Sequence, residues 1–221
     1  MGSSYRAEKA GFAKEVQERI QSKYDGGEAA KIVKWITLLP IEDIPQCVRE
    51  EVDKLKGDEE TISSNEFHKI FKNGFILGYI MACLDDKQAE KIKSMKAWQI
   101  SDKQIFEITR QRERIGLFLN FASDCGVDGT YLFQTDQLFE ETNISQVITC
   151  LSHLGIVSQT MPGYKGPAGY WPNKHTSNKR NFTKEQLNSG SNVIGLQMGN
   201  NQGANASGVR FGSRRNVTDI Y

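Results

Sequence analysis

The sequence predicts an all-α body that gives way to a largely irregular, basic C-terminal tail. Three observations carry that expectation. Apolar residues recur at steps of three and four through successive segments, the period of helices with one buried face. The stretch Asn192–Arg215 places glycines at 195, 199, 203, 208 and 212, nearly one per helical turn, and each costs a helix roughly 1 kcal/mol against alanine. Charge divides in the same direction: from Met161 onward the chain holds eight basic and two acidic residues, net +6, whereas the first 160 residues are net −5. A chain of 221 residues suits one globular domain with appendages.

In residues 6–23, Phe12, Val16 and Ile20 recur every four positions, one apolar stripe on a short amphipathic helix that packs on the body or frays. Glu28–Leu39 reads as a stronger helix, with Ala29, Ile32, Val33, Trp35, Ile36 and Leu39 as a broad apolar face, Gly26-Gly27 before it and Pro40 ending it. Trp35 at that spacing is a core residue. The highly charged stretch 40–61 reads as a loop with room for one short helix, and Glu59-Glu60 as a solvated pair. Ser63–Leu84 reads as one long helix buried through Phe67, Ile70, Phe71, Ile76, Leu77, Ile80, Met81 and Leu84, capped by Ser63 or Ser64 with Glu66 near the capping-box position.

After an irregular stretch through Trp98, Gln104–Ser123 forms the next helix. Ile105, Ile108, Ile115, Phe118, Leu119 and Ala122 step by three or four, interrupted by Arg110, Arg112 and Arg114, and Cys125-Gly126 stops it. Leu132, Phe133, Leu138 and Phe139 make a compact apolar element. A last core helix runs from about 144 to 157, with Val147, Ile148, Leu151 and Leu154 inward and Asn143 as its cap.

Between body and tail, the run Met161–Pro172 mixes turn residues with Tyr164, Tyr170 and Trp171. A flexible tether is one reading; the three aromatics favour docking across the domain surface. Lys174, Lys179, Arg180 and Lys184 follow as a basic run, with Thr183 placed to start a short helix through Leu187 that stops near Gly190. In the glycine-rich stretch, Val193, Ile194, Leu196 and Met198 form a compact apolar knot, and Arg210, Arg214 and Arg215 supply positive charge with no acid until Asp219. Composition alone equally fits a low-complexity tail. An acidic body with a basic tail points to an anionic partner surface, and nucleic acid, acidic lipid and the acidic face of a filament all satisfy the charge.

No catalytic set emerges. Histidines 68, 153 and 175 lie far apart, no Ser or Cys sits in a nucleophile motif, and no Gly-Lys-Ser/Thr loop cradles phosphate. Cysteines 47, 83, 125 and 150 show neither a CxxC pair nor metal spacing, and those at 83, 125 and 150 read as small core residues. The expectation is a non-enzyme with no cofactor or metal. No signal-peptide pattern and no run of about 18 apolar residues is evident, so the reading is intracellular with reduced thiols.

Specific motifs narrow this further. Val193-Ile-Gly-Leu-Gln-Met-Gly199, followed by Asn201-Gln-Gly-Ala204, resembles the calponin-type repeat of the calponin and transgelin family. The likeness weakens after Ala204, and the ending Arg210-Phe-Gly-Ser-Arg214 is one residue short. A single copy resembles transgelin more than the three-repeat calponins. The body agrees: Trp35, Phe71-Lys-Asn-Gly-Phe-Ile-Leu77, Phe118-Leu119 leading to Asp124-Cys-Gly-Val127, and Phe133–Glu140 are similar in order and spacing to a calponin-homology domain. Ala82 stands where the family often has Asn, which puts one side-chain hydrogen bond in doubt but not the fold. The resemblance covers about residues 10–215.

It implies an actin-filament-binding cytoskeletal protein of transgelin type, present in muscle or other cytoplasm, that crosslinks or stabilises filaments. The contact residues expected are Lys174, Lys179, Arg180, Lys184, Val193, Ile194, Gly195, Leu196, Gln197, Met198, Gly199, Arg210, Arg214 and Arg215. The division expected is an N-terminal amphipathic segment (1–23), a calponin-homology domain (24–158), a basic aromatic linker (159–190) and the repeat (191–216). The rival reading is a signalling adaptor whose helical domain binds a regulatory protein. RNA binding through the tail lacks the interleaved aromatics and modules such binding uses.

Overall fold

A computed structural model describes residues 10–40, 44–173 and 181–191. Ten α-helices are present among the described residues, and no strand: α1 Phe12–Gln21, α2 Gly26–Thr37, α3 Gln46–Val52, α4 Ser64–Phe71, α5 Phe75–Leu84, α6 Asp86–Ser94, α7 Gln104–Asp124, α8 Thr135–Phe139, α9 Ile144–Ser158 and α10 Lys184–Ser191, with a 3₁₀ turn at Lys96–Trp98. The chain forms two compact units, 1–174 and 175–221. The first nine helices belong to the former and α10 to the latter.

The body is built around α5. Its sequence FILGYIMACL is apolar on every side, and all ten residues are buried; a helix without a polar face has no stable place except inside. It packs against α3, α4, α6 and α7, while α2 pairs with α9. Two features let neighbours approach it closely. A Cβ at Gly78 would stand 2.2 Å from the Trp98 ring, so only glycine admits that indole. The Tyr79 hydroxyl reaches the carbonyls of Leu39 and Pro40 at 3.0 and 3.1 Å, which satisfies a polar atom that burial would otherwise penalise.

The single helix expected over Ser63–Leu84 is two. Gly74 has φ 77°, a left-handed conformation costly for any other residue, and the Asn73 side chain accepts the Phe75 amide at 3.0 Å to restart the chain as α5. The irregular stretch expected before Trp98 is also mostly helical. In α6 only Ile92 is buried, so one inward residue in nine left no period to read, although Asp85 caps the helix through the Lys87 amide at 3.0 Å. The 40–61 loop holds the short α3. Helix α2 starts at Gly26, inside the glycine pair, because the Asp25 carboxylate accepts the amides of Gly27 and Glu28 at 2.9 and 3.1 Å. The caps read at Ser63 and Asn143 are present, accepting the Glu66 and Gln146 amides at 3.3 and 3.2 Å, and Gly126 ends α7 with φ 93°. The α7 stripe is buried only from Arg114 and Ile115 onward; Ile105 and Ile108 are exposed.

His68 on α4 is buried, with Nδ1 3.2 Å from a carboxylate oxygen of Glu141, whose own φ of 56° turns the chain out of α8. Burial, reinforced by Lys72, pushes the imidazole pKa below its ordinary value, and Glu141 opposes this without reversing it. The ring is therefore neutral and donates Nδ1–H to the carboxylate. A folded-state pKa below the unfolded value of about 6.5 means the unfolded chain binds more protons as pH falls. Stability from this site is complete above about pH 6.5 and declines as pH drops through the lowered pKa. We expect Tm to fall between pH 7 and 5, and His68→Gln to flatten that slope; His153, also lowered by burial, contributes equally to both proteins. An identical slope in the variant would show that His68 is protonated without cost.

Candidate functional site

The segment leading toward the tail is built on aromatic side chains. Residues 159–173 run along α2 and α9, and Trp171 is 2% exposed. Gly155 of α9 makes the space: a Cβ there would lie 2.4 Å from the indole. Trp171 meets Trp35 edge-on, with centroids 5.7 Å apart at 78°, a geometry that sets a ring's positive rim on its neighbour's negative face. The Lys31 ammonium lies 4.6 Å from the Trp171 centroid.

Hydrogen bonds fix both ends of this segment. The Trp35 indole N–H donates to the Tyr164 hydroxyl at 3.0 Å, and the Tyr170 hydroxyl donates to the Lys31 carbonyl at 2.7 Å. The Gln159 side chain bonds the Trp171 backbone both ways, at 2.9 and 3.2 Å. The three aromatics that favoured docking in the sequence all contact the body. Trp35, which meets Tyr164 and Trp171, is fully buried, as its helical spacing predicted.

In the second unit, α10 begins where Thr183 suggested. The Thr183 hydroxyl accepts the Gln186 amide at 3.3 Å while the Gln186 side chain accepts the Thr183 amide at 3.0 Å, a reciprocal capping box. Phe182, Lys184 and Leu187 are exposed. Lys184 is thus the one expected contact residue among the described residues. Lys174, Lys179, Arg180, Val193, Ile194, Gly195, Leu196, Gln197, Met198, Gly199, Arg210, Arg214 and Arg215 lie outside them.

Burial pushes the thiols of Cys125 and Cys150 up to about 11 and about 12, so both remain protonated at neutral pH and are weak nucleophiles. Among the described residues no three His, Cys, Asp or Glu side chains gather as a metal site. No helix there is long and apolar enough to cross a membrane.

Two family models match the chain, one over most of the helical body and one over the glycine-rich tail. Residues 52–160 match the calponin homology (CH) domain model, and residues 194–217 match the calponin family repeat. The chain is 31% identical to myophilin of Echinococcus granulosus over 210 residues, which is 95% of this chain and 96% of that protein. The chain belongs to the calponin/transgelin family, and is an actin-associated protein of that type. Helix α2 lies outside the matched span, yet its Trp35, Ile32 and Ile36 are wholly buried in the same core.

Proposed function

We propose that this protein crosslinks or stabilises actin filaments, with the filament contact in its C-terminal segment and the helical body (24–158) as a docking or regulatory module. The observation that carries this reading is the repeat at 194–217, set beside basic residues at 174–184 and 210–215. Lys174, Lys179, Arg180, Lys184, Arg210, Arg214 and Arg215 approach the acidic filament, and Val193, Ile194, Leu196 and Met198 dock in an apolar groove. Gly195 and Gly199 let the backbone come close, and Gln197 offers its amide for hydrogen bonding. The site is cytoskeletal and requires no cofactor.

Filament co-sedimentation of the full chain beside a truncation after Ser189 tests this. Exposed charges are screened over about 8–10 Å near physiological salt, so binding of the full chain should weaken steeply from low to physiological ionic strength, and the truncation should bind poorly throughout. Binding indifferent to salt would remove the basic residues from the contact, and undiminished binding by the truncation would overturn the assignment. That last result would favour a second reading, a regulatory partner docking on the body. It has its own observation: Ile100, Ile105, Phe106 and Ile108 stand 40–78% exposed along one short stretch.

A further inference from the structure

Helix α1 contributes no buried residue to the body. Its side-chain contacts near the start of α9 include Gln17 Nε2 to the Thr142 carbonyl at 3.2 Å and Ser145 Oγ to the Ile20 carbonyl at 3.3 Å. Clefts of about 430 and 320 Å³ open around Ile20. Its apolar stripe faces outward at the N-terminal end, with Phe12 75% and Val16 37% exposed, while Ile20 is half-buried. At 3.6 residues per turn, Phe12, Val16 and Ile20 span an arc of roughly 80°. Ala13 and Gln17 lie on one flank, the side tied to Thr142. Glu15 and Arg19 lie one turn apart on the other. Lys14 and Glu18, at the back of the helix, pair with each other at 3.9 Å, whereas Glu15 and Arg19 make no ion pair among the described residues.

We propose that α1 is a self-association helix, which pairs antiparallel with α1 of a second copy of this chain. A two-fold axis near Val16 sets Phe12 of each copy against Ile20 of the other and Val16 against Val16. The same operation brings like flanks together in reversed order, so Glu15 of each copy lies within about 3 Å along the axis of Arg19 of the other, within reach of the long arginine side chain, twice. A parallel pair would instead set Glu15 and Arg19 against Ala13 and Gln17, with no charge partner. The charge pattern therefore selects both the occupant and its direction. Ten residues make a helix only about 15 Å long, well short of a standard interface, so the dimer is weak and concentration-dependent. This deepens the proposed function and rests on it in one respect: a chain with one repeat grips one filament, and two paired chains grip two.

Sedimentation velocity of the full chain without filaments, from about 10 μM to about 1 mM, tests the pairing. The sedimentation coefficient should rise with concentration toward that of a dimer. Val16→Asp should abolish the rise. Glu15→Arg should weaken it at least about tenfold, and adding Arg19→Glu should restore it, since the reversed pair is again complementary. Thermal unfolding should change little in all variants, because no residue of α1 is fully buried. Across the series, low-speed pelleting of filament bundles should follow dimerisation while high-speed binding stays constant. A concentration-independent coefficient, a dimer indifferent to Val16→Asp, or no rescue by the second reversal would each overturn the proposal. A dimer that forms and responds as stated in a protein that fails to bind filaments would sink the filament reading alone.

Discussion

Arg114→Ala should lower Tm by about 6–20 °C, the largest stability loss expected from a single substitution in the body. Arg114 is fully buried, and its guanidinium donates to four acceptors: the carbonyls of Ala97 at 2.6 Å, Asn73 at 2.8 Å and Gln99 at 3.1 Å, and the Glu107 carboxylate at 2.9 Å. The Phe75 ring lies 3.9 Å from its Cζ. Burial pushes its pKa down and Glu107 pushes it back up, but an arginine keeps its charge in either case. These acceptors come from the α4–α5 break, the 3₁₀ turn, the loop after it and α7, so one side chain ties four chain segments together.

Removing it leaves the Ala97 and Asn73 carbonyls and a Glu107 carboxylate oxygen short of a donor, while the Gln99 carbonyl keeps Arg110. Breaking a buried charge pair from one side costs about 3–5 kcal/mol, against a total stability of about 5–15 kcal/mol. For a domain of this size each kcal/mol moves Tm by about 2–4 °C. Arg114→Lys should recover only part of the loss, because an ammonium is a point donor and cannot fan out to four acceptors. A drop within about 2 °C for the alanine variant would show that the network is replaced by water without cost.

That arginine marks where sequence reading stops. Arg110, Arg112 and Arg114 look alike as a basic interruption of an apolar stripe, yet their fates differ. Arg110 donates to the Gln99 carbonyl from the surface, and Arg112 pairs with Asp136 and Glu140 over the Phe139 ring. Phase separates them: Arg114 lies one and two turns before Phe118 and Phe121, both buried, and two turns after Glu107, so it shares their inward face. The spacing was legible; what spacing omits is that a cation can occupy a core position when carbonyls from elsewhere converge on it.

The helices read well wherever three or more apolar residues share a buried face, as in α2, the second half of α7 and α9. They read poorly where apolar residues cover every side, which hid the Asn73-Gly74 break, and where almost none are buried, which hid α6. The aromatic segment at 159–173 was half legible, since Tyr164, Tyr170 and Trp171 announce a docking peptide but not its receptor. The receptor is the bare surface of Gly155, a residue whose importance lies in the side chain it lacks. For the proposed filament contact the sequence remains the main source, through a motif whose glycines forbid the periodicity that betrays helices and strands.

Ile194→Asp combined with Leu196→Asp should lower filament affinity by about 10²–10⁴ while the thermal unfolding of the body stays unchanged. On the proposed reading a segment this rich in glycine is no core element, and its aliphatic side chains would gain their burial in the complex. Burying an Ile or Leu is worth roughly 1.5–3 kcal/mol, and two of them together correspond to that range of affinity. A carboxylate forced into an apolar groove adds a desolvation cost on top. Neutralising one rim arginine, such as Arg214→Gln, should cost only about 0.2–1 kcal/mol, because an exposed charge is screened and mobile. Co-sedimentation at fixed ionic strength measures the binding, and circular dichroism melting of the same proteins measures the body. Equal losses from the double aspartate variant and from Arg214→Gln would place the contact in charge rather than in the apolar knot. A melting curve that shifts down by several degrees in the double variant would mean that the knot is buried in the free protein, and the repeat would then be a clasp on its own body rather than a hook for the filament.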